Sequence, residues 1–441
     1  MDLSLTSIYF SSLNESVRYP FHNQKDINLS ISISIATLFN ENFLFNLKNF
    51  QIDLLLYQNC FSLVIKINTI TGTKMNGSRS RQVSVLPMTE FSAMGAAWMS
   101  PGPAGFDFRS DICTGSHPVM LQAIFQAGEN DGWTASGASE FEADMAKLTG
   151  REATMFMVSS TMANQVALRS HLGTPPYSVL CDVRSHLVHM EAGGAGSWAG
   201  ALVVTVVPSN GLWLTLDDIQ RYAVISDGSD ACTCPTKLIH LEVPLGGIVM
   251  PLRELKRISH WAKAKNIAVH LDGARLWEAV SFGAGTLHQY CALPDTINLC
   301  LTKGLGGAVG SLLVGNKAHL KRAKWIRKTV GGSMRQPGFL AAAAAASVKH
   351  VWGNKIDGSN SLLKPCHEKA ARLASTWTSL GGRLLCPQQT NMIWLDLDHA
   401  GIAEEDPLNR RIPRNEAVSR VARAMQEAWS LISAEAWFHS K

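Results

Sequence analysis

Lys303 follows an apolar run, Thr296 to Leu301, and heads the stretch Gly304-Leu305-Gly306-Gly307-Ala308-Val309-Gly310. A second apolar run, Ser311 to Val314, comes next. This pattern sets a primary amine at the mouth of a strand, on backbone with little side-chain bulk. Glycine there lets main chain approach closely or take positive φ. An amine that must meet a flat ligand face needs such room, although a surface lysine between strands is the plainer reading. A carboxylate closes an earlier apolar run in the same way, in His270-Leu271-Asp272-Gly273-Ala274-Arg275. Amine and acid at two strand exits match the demands of pyridoxal phosphate. A lysine forms a Schiff base with its aldehyde, and an acid keeps its pyridine nitrogen protonated. The pyridinium charge would keep Asp272 ionised against the cost of burial. Taken alone, Asp272 could equally cap a following helix.

Two further stretches suit the same ligand. Val158-Ser159-Ser160-Thr161-Met162-Ala163-Asn164-Gln165 reads as a strand end, a turn of small residues and a helix start. Free N–H groups and the positive end of the helix dipole favour a phosphate at such a place, and the same residues also make an ordinary N-cap. His186 lies in Ser185-His186-Leu187-Val188-His189-Met190-Glu191-Ala192-Gly193-Gly194. Its imidazole could stack on a planar ring, or be structural.

These residues need a scaffold. Apolar runs at 153–158, 178–181, 202–207, 238–243, 267–271, 297–301 and 311–314 predict seven strands. Helical segments at 162–171, 216–222, 252–265 and 317–328 fall between several of them. Helices are also expected at 118–126, 139–149, 341–348 and 365–380, with a late strand at 392–397. Alternating short strands and helices argue for an α/β fold with a parallel sheet buried on both faces. The large domain spans 106–330, and a smaller α+β domain spans 331–441. In such sheets ligands bind beyond the carboxyl ends of the strands. The exits carry Ser159 to Thr161, Asp182 to His186, Glu242, Asp272 to Arg275 and Lys303, so acids, bases and hydroxyls converge on one edge.

Composition removes other classes. With 46% hydrophobic and 17% charged residues the chain is globular rather than disordered. A net charge of +5, without a basic block, does not point to nucleic acid. The apolar stretches 29–39 and 53–67 are too short or too interrupted to span a membrane. Nine scattered cysteines read as free thiols in a reducing compartment, and Cys232 with Cys234 lacks partners for a metal site, so no metal is expected. Residues 1–74 hold one alanine, one glycine and no tryptophan, unlike the rest. Residues 1–105 are therefore expected to be a poorly ordered extension, with Met75 as the natural start and a Gly, Ser and Pro-rich lead-in behind it.

From about 106 to 395 the chain resembles the low-specificity threonine aldolases, fold-type I pyridoxal-phosphate enzymes, in a fungal style. The matching stretches are Asp107-Phe108-Arg109-Ser110-Asp111, Ser160 to Gln165, His186 with Glu191-Ala192-Gly193-Gly194, and His270 to Trp277. Leu301 to Gly306 and Gly331-Gly332-Ser333-Met334-Arg335-Gln336 complete them. The resemblance implies a seven-stranded, mostly parallel sheet and retro-aldol cleavage of β-hydroxy-α-amino acids, in a cytoplasmic homodimer or homotetramer with shared active sites. It implies Lys303 as the Schiff-base lysine, Asp272 as partner of the pyridine nitrogen, and His186 on the ring with a part in proton transfer. Ser160 and Thr161 would hold the phosphate, Arg275 would lie near the cofactor, and Ser110 would touch the substrate carboxylate. Arg335 would reach the phosphate of a neighbouring subunit.

The chain departs from the family pattern in places. Ser160 stands where the family has glycine, at a position expected to need positive φ. Glu242 is followed by Val243-Pro244-Leu245 instead of a polar pair. The acidic run expected near 129–135 is thin. No late arginine occupies the usual strand setting among Arg410, Arg411, Arg414, Arg420 and Arg423, and the small domain reads as incomplete. Weak or no aldolase activity, with cofactor binding retained, is the resulting expectation. The alternatives are an alanine racemase of fungal peptide metabolism and an inactive homologue.

Overall fold

The computed structural model describes residues 50–56, 63–69, 110–129, 135–226 and 229–396. The lead-in, the Phe106–Arg109 cluster, the thinned acidic run beyond Glu129 and the late arginines lie outside them. The chain divides into two compact units, Met1–Ser84 and Val85–Lys441. Within the first, β1 (Phe50–Leu56) and β2 (Leu63–Thr69) form an antiparallel pair that registers Phe50 with Thr69.

The second unit is built on a seven-stranded sheet. Its strands are β3 (Ala153–Met157), β4 (Ser178–Asp182), β5 (Leu202–Val206), β6 (Thr236–Glu242), β7 (Ala268–Asp272), β8 (Thr296–Cys300) and β9 (Ser311–Gly315). All seven expected strands are present. The order is β3-β9-β8-β7-β6-β4-β5, and β4, β8 and β9 are buried at every residue. Burial on both faces explains why these runs are apolar throughout rather than alternating. β5 lies at the sheet's edge, where Leu202 is exposed.

β9 is the strand that makes the sheet mostly rather than wholly parallel. β9 runs antiparallel to both β3 and β8. The connection from Leu301 to Gly310 contains no helix, and a parallel return needs a crossover of a dozen or more residues. The chain therefore turns straight back, and the lysine loop becomes a tight link at the carboxyl end of β8.

Helices cover the sheet: α1 (Pro118–Glu129), α2 (Ala135–Thr149), α3 (Ser160–His171), the single turns α4 (His186–His189) and α5 (Gly194–Ser197), and α6 (Leu216–Tyr222). They continue with α7 (Leu252–Ala264), α8 (Leu276–Ser281), α9 (Leu287–Cys291), α10 (Lys317–Thr329), α11 (Gly338–Ser347) and α12 (Leu363–Ser379). The main core joins β4, β6, β7 and β8 to α7, α8 and α9 through Leu255, Ile258, Trp277, Val280 and Tyr290. Each such buried side chain stabilises the fold by about 1.5–3 kcal/mol. On the other face α3 packs its Leu168 against Val179, Cys181 and Leu238.

Three expectations shift in detail. The late strand shrinks to β11 (Leu395–Asp396), paired antiparallel with β10 (Arg383–Leu384) in a sheet of its own. The alanine-rich helix begins earlier, at Gly338, and runs into a π-helical turn at Val348–Trp352. Ser160 needs no positive φ. Ser159 is the N-cap at φ −152°, its Oγ accepts from Met162 N at 3.1 Å, and Ser160 opens α3 as an ordinary helical residue. No helix among the described residues is long and apolar enough to cross a membrane. None of the eight cysteines among them forms a disulfide.

Candidate active site

The strand exits do meet. Asp272 ends β7, almost fully buried, with both carboxylate oxygens engaged. Oδ1 accepts from Ala274 N (2.9 Å) and Asn298 Nδ2 (3.0 Å), and Oδ2 accepts from Asn164 Nδ2 (2.7 Å). Asp272 thus caps the turn that follows it, as the plainer reading held, and also sits at the hub of a polar cluster. Asn164 projects from the first turns of α3 and Asn298 from β8, so three elements fix one carboxylate.

Asn164 Nδ2 also donates to Glu191 Oε1 at 2.7 Å, and Gln165 Nε2 donates to Glu191 Oε2 at 2.6 Å. Glu191 Oε1 in turn receives His186 Nδ1 at 2.9 Å. The hydrogen bond to Glu191 raises the His186 pKa; burial opposes it and the Asp272 charge adds to it. The backbone N–H of His186 donates to Glu242 Oε2 at 2.9 Å. Burial, then the charge of Asp272, pushes the Glu242 carboxyl up to about 7. His186, Glu191 and Asp272 offer ligand atoms within 4.8 Å of one another, but Asn164 bridges the two carboxylates there.

A second knot lies around Arg275. Its Nε and Nη2 donate to Asp111 Oδ2 and Oδ1, at 2.7 and 2.6 Å. Burial alone would raise the Asp111 pKa, but the hydrogen bonds and charge of Arg275 hold it below the ordinary value. Asn391 Nδ2 links Asp111 Oδ2 (3.3 Å) to Glu278 Oε1 (3.4 Å), and Glu278 pairs with His367 of α12. Ser110 caps the 3-10 turn Asp111–Cys113, so it is adjacent to this knot.

Lys303 is half-buried, and its charge lowers the proton affinity of both Asp111 and Glu242. It is therefore within electrostatic reach of both clusters. The glycines beside it answer to the protein's own packing, which corrects the expectation that they clear space for a flat ligand. A Cβ on Gly304 would collide with Glu278 Oε1. Gly306 has φ +65°, and a Cβ there would lie 2.9 Å from Gly115 O. Arg335 is the expected residue that this cluster does not include. It is exposed in the loop before α11 and makes no hydrogen bond or ion pair among the described residues.

Asn164, Glu191, Asn298, Asp111, Asn391 and Glu278 were not singled out from sequence, and Glu242 was only as an acid at a strand exit. Asn164, Glu191 and Asp111 lie inside stretches that were. Asn298, Glu278 and Asn391 carry no spacing signal, because the fold alone brings them together.

The residues fit a pyridine phosphate. Asp272 presents a fixed carboxylate for a protonated ring nitrogen. Ser160 Oγ is buried without a hydrogen-bond partner at the start of α3, where an anion would satisfy it. His186 adds a half-buried ring and Lys303 an amine.

Comparison with known proteins agrees. Residues 107–400 match the beta-eliminating lyase family model. The chain is 48% identical over 344 residues to aldolase vrtJ of Penicillium aethiopicum, covering 78% of this chain and 83% of that one. It is 38% identical over 340 residues to alanine racemase TOXG of Cochliobolus carbonum (76% and 87%). Against the probable low-specificity L-threonine aldolase of Schizosaccharomyces pombe it is 40% identical over 291 residues (66% and 75%). A solved threonine aldolase from Leishmania major, 22% identical, shares the fold with a TM-score of 0.59, covering 74% of this chain and 99% of that one. With that extent of match and this arrangement of acid, imidazole and amine, the chain belongs to the beta-eliminating lyase family and is a pyridoxal-phosphate-dependent enzyme.

Proposed function

We propose that the protein is an aldolase that cleaves β-hydroxy-α-amino acids, L-threonine and L-allo-threonine among them, to glycine and an aldehyde. The observation that supports this most is the junction of Asp272 and His186 through Asn164 and Glu191, which holds an acid and a base in fixed relation. In this reading Lys303 holds the aldehyde end of the cofactor, Asp272 its ring nitrogen and His186 its ring face. Ser160, Thr161 and the first N–H groups of α3 hold the phosphate, with the partner subunit's Arg335 adding charge. Bound there, the cofactor supplies a sink for the electron pair left when a Cα–Cβ bond breaks.

The protein's own groups orient and move protons. Ser110 touches the substrate carboxylate, and the Asp111 pair keeps Arg275 rigid beside it. That grip turns the Cα–Cβ bond to the cleavable orientation. His186 gives Nδ1 to Glu191, which leaves Nε2 to take the β-hydroxyl proton. Because the hydrogen bond to Glu191 raises the His186 pKa, the free base accumulates at higher pH than it would in an unperturbed histidine. The same reading has a large domain over 106–330, a small one over 331–441 and an extension over 1–105. It makes the protein a cytoplasmic homodimer or homotetramer acting in threonine breakdown and glycine formation.

One observation favours a second reading, alanine racemase. Val243 is fully buried after Glu242, and Pro244 and Leu245 follow it, so these three residues offer the β-hydroxyl no polar side chain. Racemisation needs only removal and return of a proton at Cα. Incubating cofactor-loaded protein with L-threonine, L-allo-threonine and L-alanine separates the readings. Glycine with acetaldehyde is expected. D-alanine without glycine would establish the racemase, and no product from any of the three would make the chain an inactive homologue.

A further inference from the structure

Behind Asp272 a directed line of hydrogen bonds runs down the sheet, away from the strand exits. Asn164 points both amide hydrogens at carboxylates, Asp272 Oδ2 and Glu191 Oε1, each at 2.7 Å. Its Oδ1 can only accept, so His270 Nε2, 3.0 Å away, must carry a proton. His270 is fully buried, and burial, followed by the charges of neighbouring histidines, holds its pKa well below the ordinary value. It is neutral and has a single N–H. Nδ1 therefore accepts, from Thr296 Oγ1 at 2.9 Å. The one hydroxyl hydrogen of Thr296 is used there, so its oxygen accepts the His171 Nε2–H at 2.8 Å. The His171 ring stacks on His319 at 3.9 Å, and His319 Nε2 lies 2.7 Å from Ser170 Oγ. Every donor from His171 to Asn164 points towards the carboxylates.

The two ends of an amide are nearly the same size, so shape alone does not decide which faces Asp272. A half-turn of Asn164 would set its oxygen against a carboxylate oxygen. The His270 N–H adds to that preference from the other side, because a turned amide would also confront it with a second donor. We propose that His270 is a positioning residue for the cofactor: by locking Asn164 with its N–H groups towards Asp272, it fixes the hydrogen bonds made to that carboxylate and so sets the proton affinity of the pyridine nitrogen. Thr296 serves the same end by fixing the tautomer of His270. This rests on the reading of Asp272 as the partner of the ring nitrogen.

The test uses full-length protein loaded with pyridoxal phosphate labelled with nitrogen-15 in the ring, whose chemical shift reports protonation across pH. His270→Phe removes the donor, and its ring nitrogen should lose its proton at lower pH, with about a tenfold fall in proton affinity. Thr296→Val should move it in the same direction by less. His270→Gln, whose amide can still donate to Asn164, should restore most of the loss. Thr296→Val keeps side-chain size and carries the test if His270→Phe does not fold. Titration of His270→Phe and Thr296→Val at the wild-type midpoint would overturn the proposal. So would an equal loss in His270→Gln, which would assign the effect to packing. A wild-type ring nitrogen unprotonated at neutral pH would instead sink the reading of Asp272, and the proposal with it.

Discussion

Glu191 is the side chain that binds the candidate site together, and Glu191→Gln tests that claim. It is buried and accepts three hydrogen bonds, from Asn164, Gln165 and His186. Hydrogen bonds to a charged group are worth about 1.5–3 kcal/mol each. Glutamine keeps the shape and one acceptor oxygen but turns an NH2 towards at least one existing donor. One bond is lost and one donor is left facing another, so urea unfolding should show a loss of about 2–4 kcal/mol. The second readout is His186. Its raised pKa comes first from Glu191, with burial opposing it, so loss of the carboxylate should move the pKa down. If neutral His186 is the base, the rising limb of the pH–rate profile moves to lower pH in the variant. NMR titration of the imidazole should move with it. A variant that loses stability while its imidazole titrates as in wild type would refute the assignment of Glu191 as the group that sets His186.

Other outcomes follow from the same contacts. Glu242 has a folded pKa raised from 4.5 to about 7, so its ionisation costs stability as pH climbs through that interval. Glu242→Gln should therefore stabilise the cofactor-free protein at pH 8 relative to pH 5, by at most about 3 kcal/mol. Equal effects at both pH values would contradict the burial argument. Gly304→Ala should place a methyl group against Glu278, which is held by His367 and Asn391, and so push the Lys303 loop aside. Overpacking of this kind costs about 1–3 kcal/mol. A thermal melt should show that loss together with weakened cofactor absorbance, and unchanged absorbance would separate Gly304 from the position of Lys303.

Much of this arrangement is legible in the residues, and the reasons for the rest are physical. Strands buried on both faces are written as continuous apolar runs, so all seven could be located, and Asp272 and Lys303 marked their exits. The direction of β9 depends on the lack of a helix between 301 and 310, a matter of connection rather than pattern. The glycines at 304 and 306 suggested space for a ligand, yet Glu278 and the Gly115 carbonyl explain them, and both lie far away in sequence. Asn298 and Asn391 look like ordinary polar residues until β8 and the segment before β11 bring them to Asp272 and Asp111. Ser160 looked strained only by comparison with a glycine; its helical place removes the difficulty.

The central claim is that Lys303 carries the cofactor. Borohydride treatment of the loaded protein fixes the cofactor to whichever lysine holds it, and digestion with mass spectrometry then identifies the residue. The account predicts a pyridoxyl label on Lys303, absent in Lys303→Ala. A label on another lysine, or an undiminished label in that variant, would contradict it.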